Sequence, residues 1–136
     1  MSNLFKNLQI IHDYENKYPY LEMARVGITE NNLDIFIRTD DPGKIPHFHI
    51  VDINKKDNKV NETCIQITKA EYFLHGGKQM TLNSSQRKEL VEFLASKPRN
   101  KRFKTNWEYL VSMWNDNNSD VEIDESIEMP DYKELK

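Results

Sequence analysis

Between Glu22 and Ile67, apolar residues fall on every second position in four short runs, with polar turn-forming residues between them. A period of two is the side-chain repeat of an extended chain, so this stretch is predicted to be β-sheet. Glu22 to Ile28 aligns Ala24, Val26 and Ile28 on one face, and Leu33 to Arg38 aligns Leu33, Ile35 and Ile37. Glu30-Asn31-Asn32 tolerates positive φ and predicts a tight antiparallel hairpin between the two. After the turn TDDPGK, Pro46 suits the start of a third strand, His47 to Ile53, because proline inside a ladder removes a backbone donor. The polar loop NKKDNKVN leads to a fourth strand, Glu62 to Ile67. Tyr72 to His75 reads as a fifth short strand, ended by Gly76-Gly77.

Helical periodicity flanks this region. Leu4, Leu8, Ile11, Tyr14 and Tyr18 recur at three or four residues and predict an N-terminal helix closed by Pro19. Asn83 with Gln86 forms a capping-box pattern ahead of a helix bearing Leu90, Val91, Phe93 and Leu94. Pro98 interrupts that helix, and Thr105-Asn106-Trp107-Glu108 starts another bearing Trp107, Leu110, Val111 and Trp114. The fold class expected is α+β: an antiparallel sheet of four or five strands with an N-terminal helix and two C-terminal helices packed on it. A chain of 136 residues suits one domain, since this length typically buries roughly 68–70% of the unfolded surface.

The net charge of -3 averages two unlike regions. Residues 1–115 carry 17 Lys and Arg against 14 Asp and Glu, a net +3, whereas residues 116–136 carry 2 against 8, a net -6. Few large apolar residues lie in the acidic stretch, so the expected organisation is a single α+β domain over 1–116 and a flexible acidic tail over 117–136. Lys97, Arg99, Lys101, Arg102 and Lys104 crowd the connection before the last helix, a local positive field for an anion, an acidic partner or the chain's own tail. Only Phe103 interleaves with them, which argues against a platform for stacking single-stranded bases. No run approaches the roughly 18 apolar residues of a membrane span, and the N-terminus lacks the apolar core of a secretion signal, so a cytoplasmic protein without membrane contact is expected. Cys64 is the only cysteine; it has no internal disulfide partner and reads as a strand packing position.

In IPHFHIVDI the strand period sends His47, His49, Val51 and Ile53 to one side and Phe48, Ile50 and Asp52 to the other. Imidazoles at i and i+2 are neighbours that can converge on a metal, a phosphate or a carboxylate, or can be hydrogen-bonded parts of the core. A transition metal generally requires a third protein ligand, which only a fold contact can supply; His75, Asp40, Asp41 and His12 are the candidates. His75 with Gly76-Gly77 can also offer donors to an anion, although turn formation alone explains the glycines. No cofactor-binding motif occurs, and neither a G-x-S-x-G elbow nor an H-E-x-x-H helix is present.

Over about ten residues this stretch is similar to the H-x-H-x-H strand of the histidine-triad nucleotide hydrolases, but Val51 stands where the third histidine would be. More broadly, the chain from Met23 to Trp114 resembles a family of small bacterial proteins marked by a P-P-H-F-H-V signature, here Ile45-Pro46-His47-Phe48-His49-Ile50. That resemblance implies a protein partner encoded alongside, in a toxin-antitoxin-like pair. The Asn-, Lys- and Ile-rich composition suits an AT-rich genome, phage or mobile element included. The expected function is a non-enzymatic interaction or regulatory module that engages another macromolecule through the histidine strand and nearby loops. The alternatives are a histidine-based, metal-dependent phosphodiesterase or nuclease, and a nucleic-acid-binding module steered by the 97–104 cations.

Overall fold

The computed structural model describes residues 8–10, 23–38, 45–55, 60–74 and 78–136. Four strands, β1 (Met23–Ile28), β2 (Leu33–Arg38), β3 (His47–Asp52) and β4 (Glu62–Gln66), pair in chain order as an antiparallel meander. Two helices follow, α1 (Ser84–Ala95) and α2 (Asn106–Asn117), and then a 3-10 turn at Tyr132–Glu134. The class is α+β, as the alternation and the caps predict. Residues 8–10 are helical, and the remainder of the expected N-terminal helix lies outside the described residues.

The β1–β2 hairpin turns through Asn32, whose φ of 65° explains why asparagine suits that position. Thr29 accepts from the Asn32 amide at 3.0 Å, and α1 grips the turn through Glu89, which accepts from Thr29 Oγ1 at 2.8 Å and from the Asn31 side chain. β1 departs from simple alternation. Its register with β2 shifts between Arg25 and Gly27, so Val26 is an extra residue and Ile28 turns to the opposite face. Val26 therefore joins the main core while Ile28 packs on a second cluster, correcting the expectation that Ala24, Val26 and Ile28 share a side.

The main core lies on the face bearing Leu33, Ile35, Ile37, Phe48, Ile50 and Ile65, covered by Leu90 and Leu94 of α1 and by Trp107, Leu110, Val111 and Trp114 of α2. On the other face Phe36, Val51 and Ile53 form a smaller cluster, against which Ile10 packs. Both faces of β3 are thus buried, from His47 through Asp52. The predicted caps are present. Asn83 and Gln86 make the reciprocal capping box, and Thr105 Oγ1 accepts from the Glu108 amide at 3.1 Å. Glu108 returns its bond to the Lys104 amide, one residue before the cap. The fifth strand reduces to a single bridge, Ile65 to Tyr72, and His75 lies outside the described residues.

Residues 117–136 do not form the free tail expected from their composition. Tyr132 is completely buried and Leu135 nearly so, while Val121, Ile123, Ile127 and Met129 pack against the same core. Both indoles of α2 fasten this segment: Trp114 Nε1 donates to the Val121 carbonyl and Trp107 Nε1 to that of Ile127, each at 3.0 Å. The Tyr132 hydroxyl donates towards the carbonyls of Gln66 and Ile67, at 2.8 and 3.1 Å. Six apolar side chains, spaced among the acids, supply burial that net charge and composition conceal.

Candidate functional site

The register of β3 with β4 determines what surrounds the histidines. His49 faces Cys64 across the ladder, Val51 faces Glu62 and His47 faces Gln66. Because side chains alternate, His47, His49, Glu62 and Cys64 all leave the sheet on the side away from Phe48 and Ile65. The two imidazoles are neighbours, with ring centres 5.2 Å apart. They are enclosed, at 1% and 3% exposure, so they do not form the open contact surface the sequence suggested.

The two rings have different partners. His47 Nδ1 lies 2.7 Å from the Ile45 carbonyl, which only accepts, so this nitrogen carries the proton. Phe73 and Trp114 enclose the His47 ring, with centres 4.4 and 5.6 Å away. His49 Nδ1 lies 2.7 Å from Glu62 Oε2 and 3.2 Å from Cys64 Sγ, and its ring stacks on Phe36. Arg38 then reaches both Glu62 oxygens, at 3.2 and 3.3 Å, with its guanidinium over the Phe36 ring. Burial raises the Glu62 pKa, but the His49 hydrogen bond and the Arg38 charge outweigh it and hold the carboxyl below its ordinary value. As an ionised acceptor, Glu62 leaves His49 Nδ1 as the donor. Asp52 points to the helical side, as the alternation predicts, where it accepts from Gln86 Nε2 at 3.2 Å.

His49, Glu62 and Cys64 each offer a ligand atom, and these atoms lie within 4.8 Å of one another. Sequence reasoning found only the first of them. Glu62 and Cys64 alternate along β4, which is the signal that they share a face, but the long loop before β4 hides the register that brings them to His49. The other proposed third ligands, His75, Asp40, Asp41 and His12, lie outside the described residues, as do Gly76 and Gly77.

The predicted basic residues form a second feature. Lys97, Arg99, Lys101, Arg102 and Lys104 are all exposed, and among the described residues none makes an ion pair within 4 Å. Lys97 and Arg99 line a groove of about 740 Å³ together with Arg25, Gly27, Phe93 and Tyr109; the other three do not line it. Buried Asn106 fixes the end of the connection, with its amide bonded to the Ser96 carbonyl at 2.8 Å and its side chain to that of Phe93 at 3.0 Å. Arg25 is held against buried Asp34 by two bonds of 2.9 and 3.0 Å. The acidic C-terminal segment docks instead against the helices and the end of β4. Among the described residues no helix is long and apolar enough to cross a membrane. In comparisons with known proteins, the chain matches no family model, no curated protein and no solved structure.

Proposed function

We propose that the protein is a non-enzymatic binding module whose recognition surface is the groove between β1 and the α1–α2 connection, and that its ligand is an acidic segment of a protein partner. The carrying observation is the pair Lys97 and Arg99, exposed and without ion-pair partners among the described residues, at the rim of a groove with aromatic walls. Cations around Phe93 and Tyr109 suit a peptide that combines carboxylates with an apolar anchor. The resemblance described above would make that partner the small protein encoded alongside, in a toxin-antitoxin-like pair. A cytoplasmic setting suits the reading, since the chain has one cysteine and needs no internal disulfide.

Five exposed cations in one connection also favour a nucleic-acid reading, but the net charge of -3 and the mixed, partly apolar groove weigh against it. A histidine-based phosphodiesterase is less well supported, because both imidazoles are enclosed by aromatic rings and a phosphate ester would have to displace them. The test is co-purification of the neighbouring gene's product with wild type and with the double variant Lys97→Glu, Arg99→Glu. Capture by the wild type, lost in a variant with an unchanged circular dichroism spectrum, supports the reading. Equal capture by both sinks it, and salt-sensitive binding of DNA or RNA by the wild type alone moves the assignment to nucleic acid.

A further inference from the structure

We propose that His49, Glu62 and Cys64 form a binding site for a divalent transition metal of the zinc class. The three donors come from two adjacent antiparallel strands, and their ligand atoms already lie within 4.8 Å of one another. Cys64 and His49 are buried at 4% and 3% exposure, whereas the Glu62 side chain keeps 34%, leaving a solvent-side path for an ion. One thiolate, one imidazole and one carboxylate make a mixed set that suits zinc or cobalt and excludes the all-oxygen preference of magnesium and calcium.

The distances fit with small adjustments. Metal–ligand bonds of about 2.0–2.3 Å at tetrahedral angles separate the ligand atoms by roughly 3.4–3.6 Å. His49 Nδ1 stands 3.2 Å from Cys64 Sγ and 2.7 Å from Glu62 Oε2, pairs that part by less than about 1 Å to admit the ion, while Glu62 and Cys64, within 4.8 Å of each other, settle to the same spacing by side-chain rotation. The metal takes the position now held by the proton between His49 and Glu62. Imidazole stays neutral by carrying its proton on Nε2, the thiol gives its proton to water, and the doubly charged ion meets a thiolate and a carboxylate. Water occupies the fourth position, on the exposed side of Glu62.

The surroundings are those of a supported metal centre. Phe36 stacks on the His49 ring at 5.3 Å and 15°, fixing its plane, while Arg38 orients the Glu62 carboxylate through both of its oxygens. Arg38 bonds both Glu62 oxygens, so on metal binding it gives up its 3.3 Å contact with Oε2 and keeps the 3.2 Å contact with Oε1. His47 stands beside the site, its ring centre 5.2 Å from that of His49, but the clustered ligand atoms are those of His49, Glu62 and Cys64.

The experiment is a cobalt titration of untagged, phosphine-reduced protein, followed by near-ultraviolet absorption. One equivalent of cobalt per chain, with a sulfur-to-cobalt charge-transfer band that disappears in Cys64→Ser, is the expected result. Affinity should fall by about tenfold or more in Glu62→Gln, a ligand loss at least as costly as losing a supporting residue. Magnesium should compete with neither cobalt nor zinc. Should the cysteine variant fail to fold, zinc-edge X-ray absorption of the loaded wild type reads the ligands directly, with one sulfur and the remainder nitrogen and oxygen expected. Folded wild type that takes up no cobalt, or takes it up without a sulfur ligand, overturns the proposal.

Discussion

Glu62 is the residue on which the histidine, the arginine and the cysteine strand converge, and its ionisation carries a measurable consequence. Its folded-state pKa is depressed, because the His49 hydrogen bond and the Arg38 charge exceed the opposing effect of burial. A depressed carboxylate contributes stability that is present above its unfolded value, about 4.3, and lost as pH falls through the folded value. Urea midpoints of the metal-free protein should therefore hold from neutrality to about pH 5 and drop below about pH 4, and Glu62→Gln should flatten part of that drop while lowering stability at neutral pH. A variant with the wild-type acid slope would mean that other carboxylates carry the effect. At this scale the sequence yields one of the three clustered donors, His49. His47 and His49 are neighbours within one strand, so the period of two places them; Cys64 and Glu62 are neighbours of His49 only across a ladder, and ladder register is absent from the spacing of a single strand.

Elements with a local chemical signature are the legible ones. The Asn83 box, the Thr105 cap and the Asn32 turn each rest on a bond made within a few residues, so the sequence states them directly. β1 departs from simple alternation because a bulge answers to tertiary packing: the Phe93 ring of α1 reaches the strand there and occupies the space a side chain at position 27 would need. A Cβ added at Gly27 would sit 2.7 Å from the tip of that ring. Gly27→Ala should cost about 1 kcal/mol, as overpacking of roughly 1–3 kcal/mol is reduced by about 0.4–1 kcal/mol from stiffening the unfolded chain. Because the ring borders the groove, it can swing outwards, which keeps the cost near the lower limit. A double-mutant cycle with Phe93→Leu checks the cause: the smaller side chain should make Gly27→Ala nearly neutral, whereas simple additivity would place the strain elsewhere.

For the whole molecule, the decisive question is whether the acidic C-terminal segment belongs to the fold. Its composition argues for a solvated tail, since 8 acids against 2 bases over 116–136 disfavour burial. Its side chains argue the reverse, because Tyr132 closes the core between Phe48 and Trp107, with ring centres 5.7 and 6.2 Å away. The end of the chain also completes the sheet's margin, where the Tyr72 amide donates to the Lys136 carbonyl at 3.1 Å. Deleting residues 131–136 removes the fully buried tyrosine and Leu135 together, a loss expected to cost at least the roughly 3–5 kcal/mol of an aromatic-to-alanine change in a core. Against a total of about 5–15 kcal/mol for a domain, this should move the urea midpoint sharply downwards and expose apolar surface to a hydrophobic dye. Tyr132→Phe retains the ring and loses only the donor to Gln66 and Ile67, so its cost should stay near 1–3 kcal/mol. A truncated chain with an unshifted midpoint would return these residues to the solvated tail that charge alone suggests, and would separate the acidic segment from the stability of the body that carries the groove.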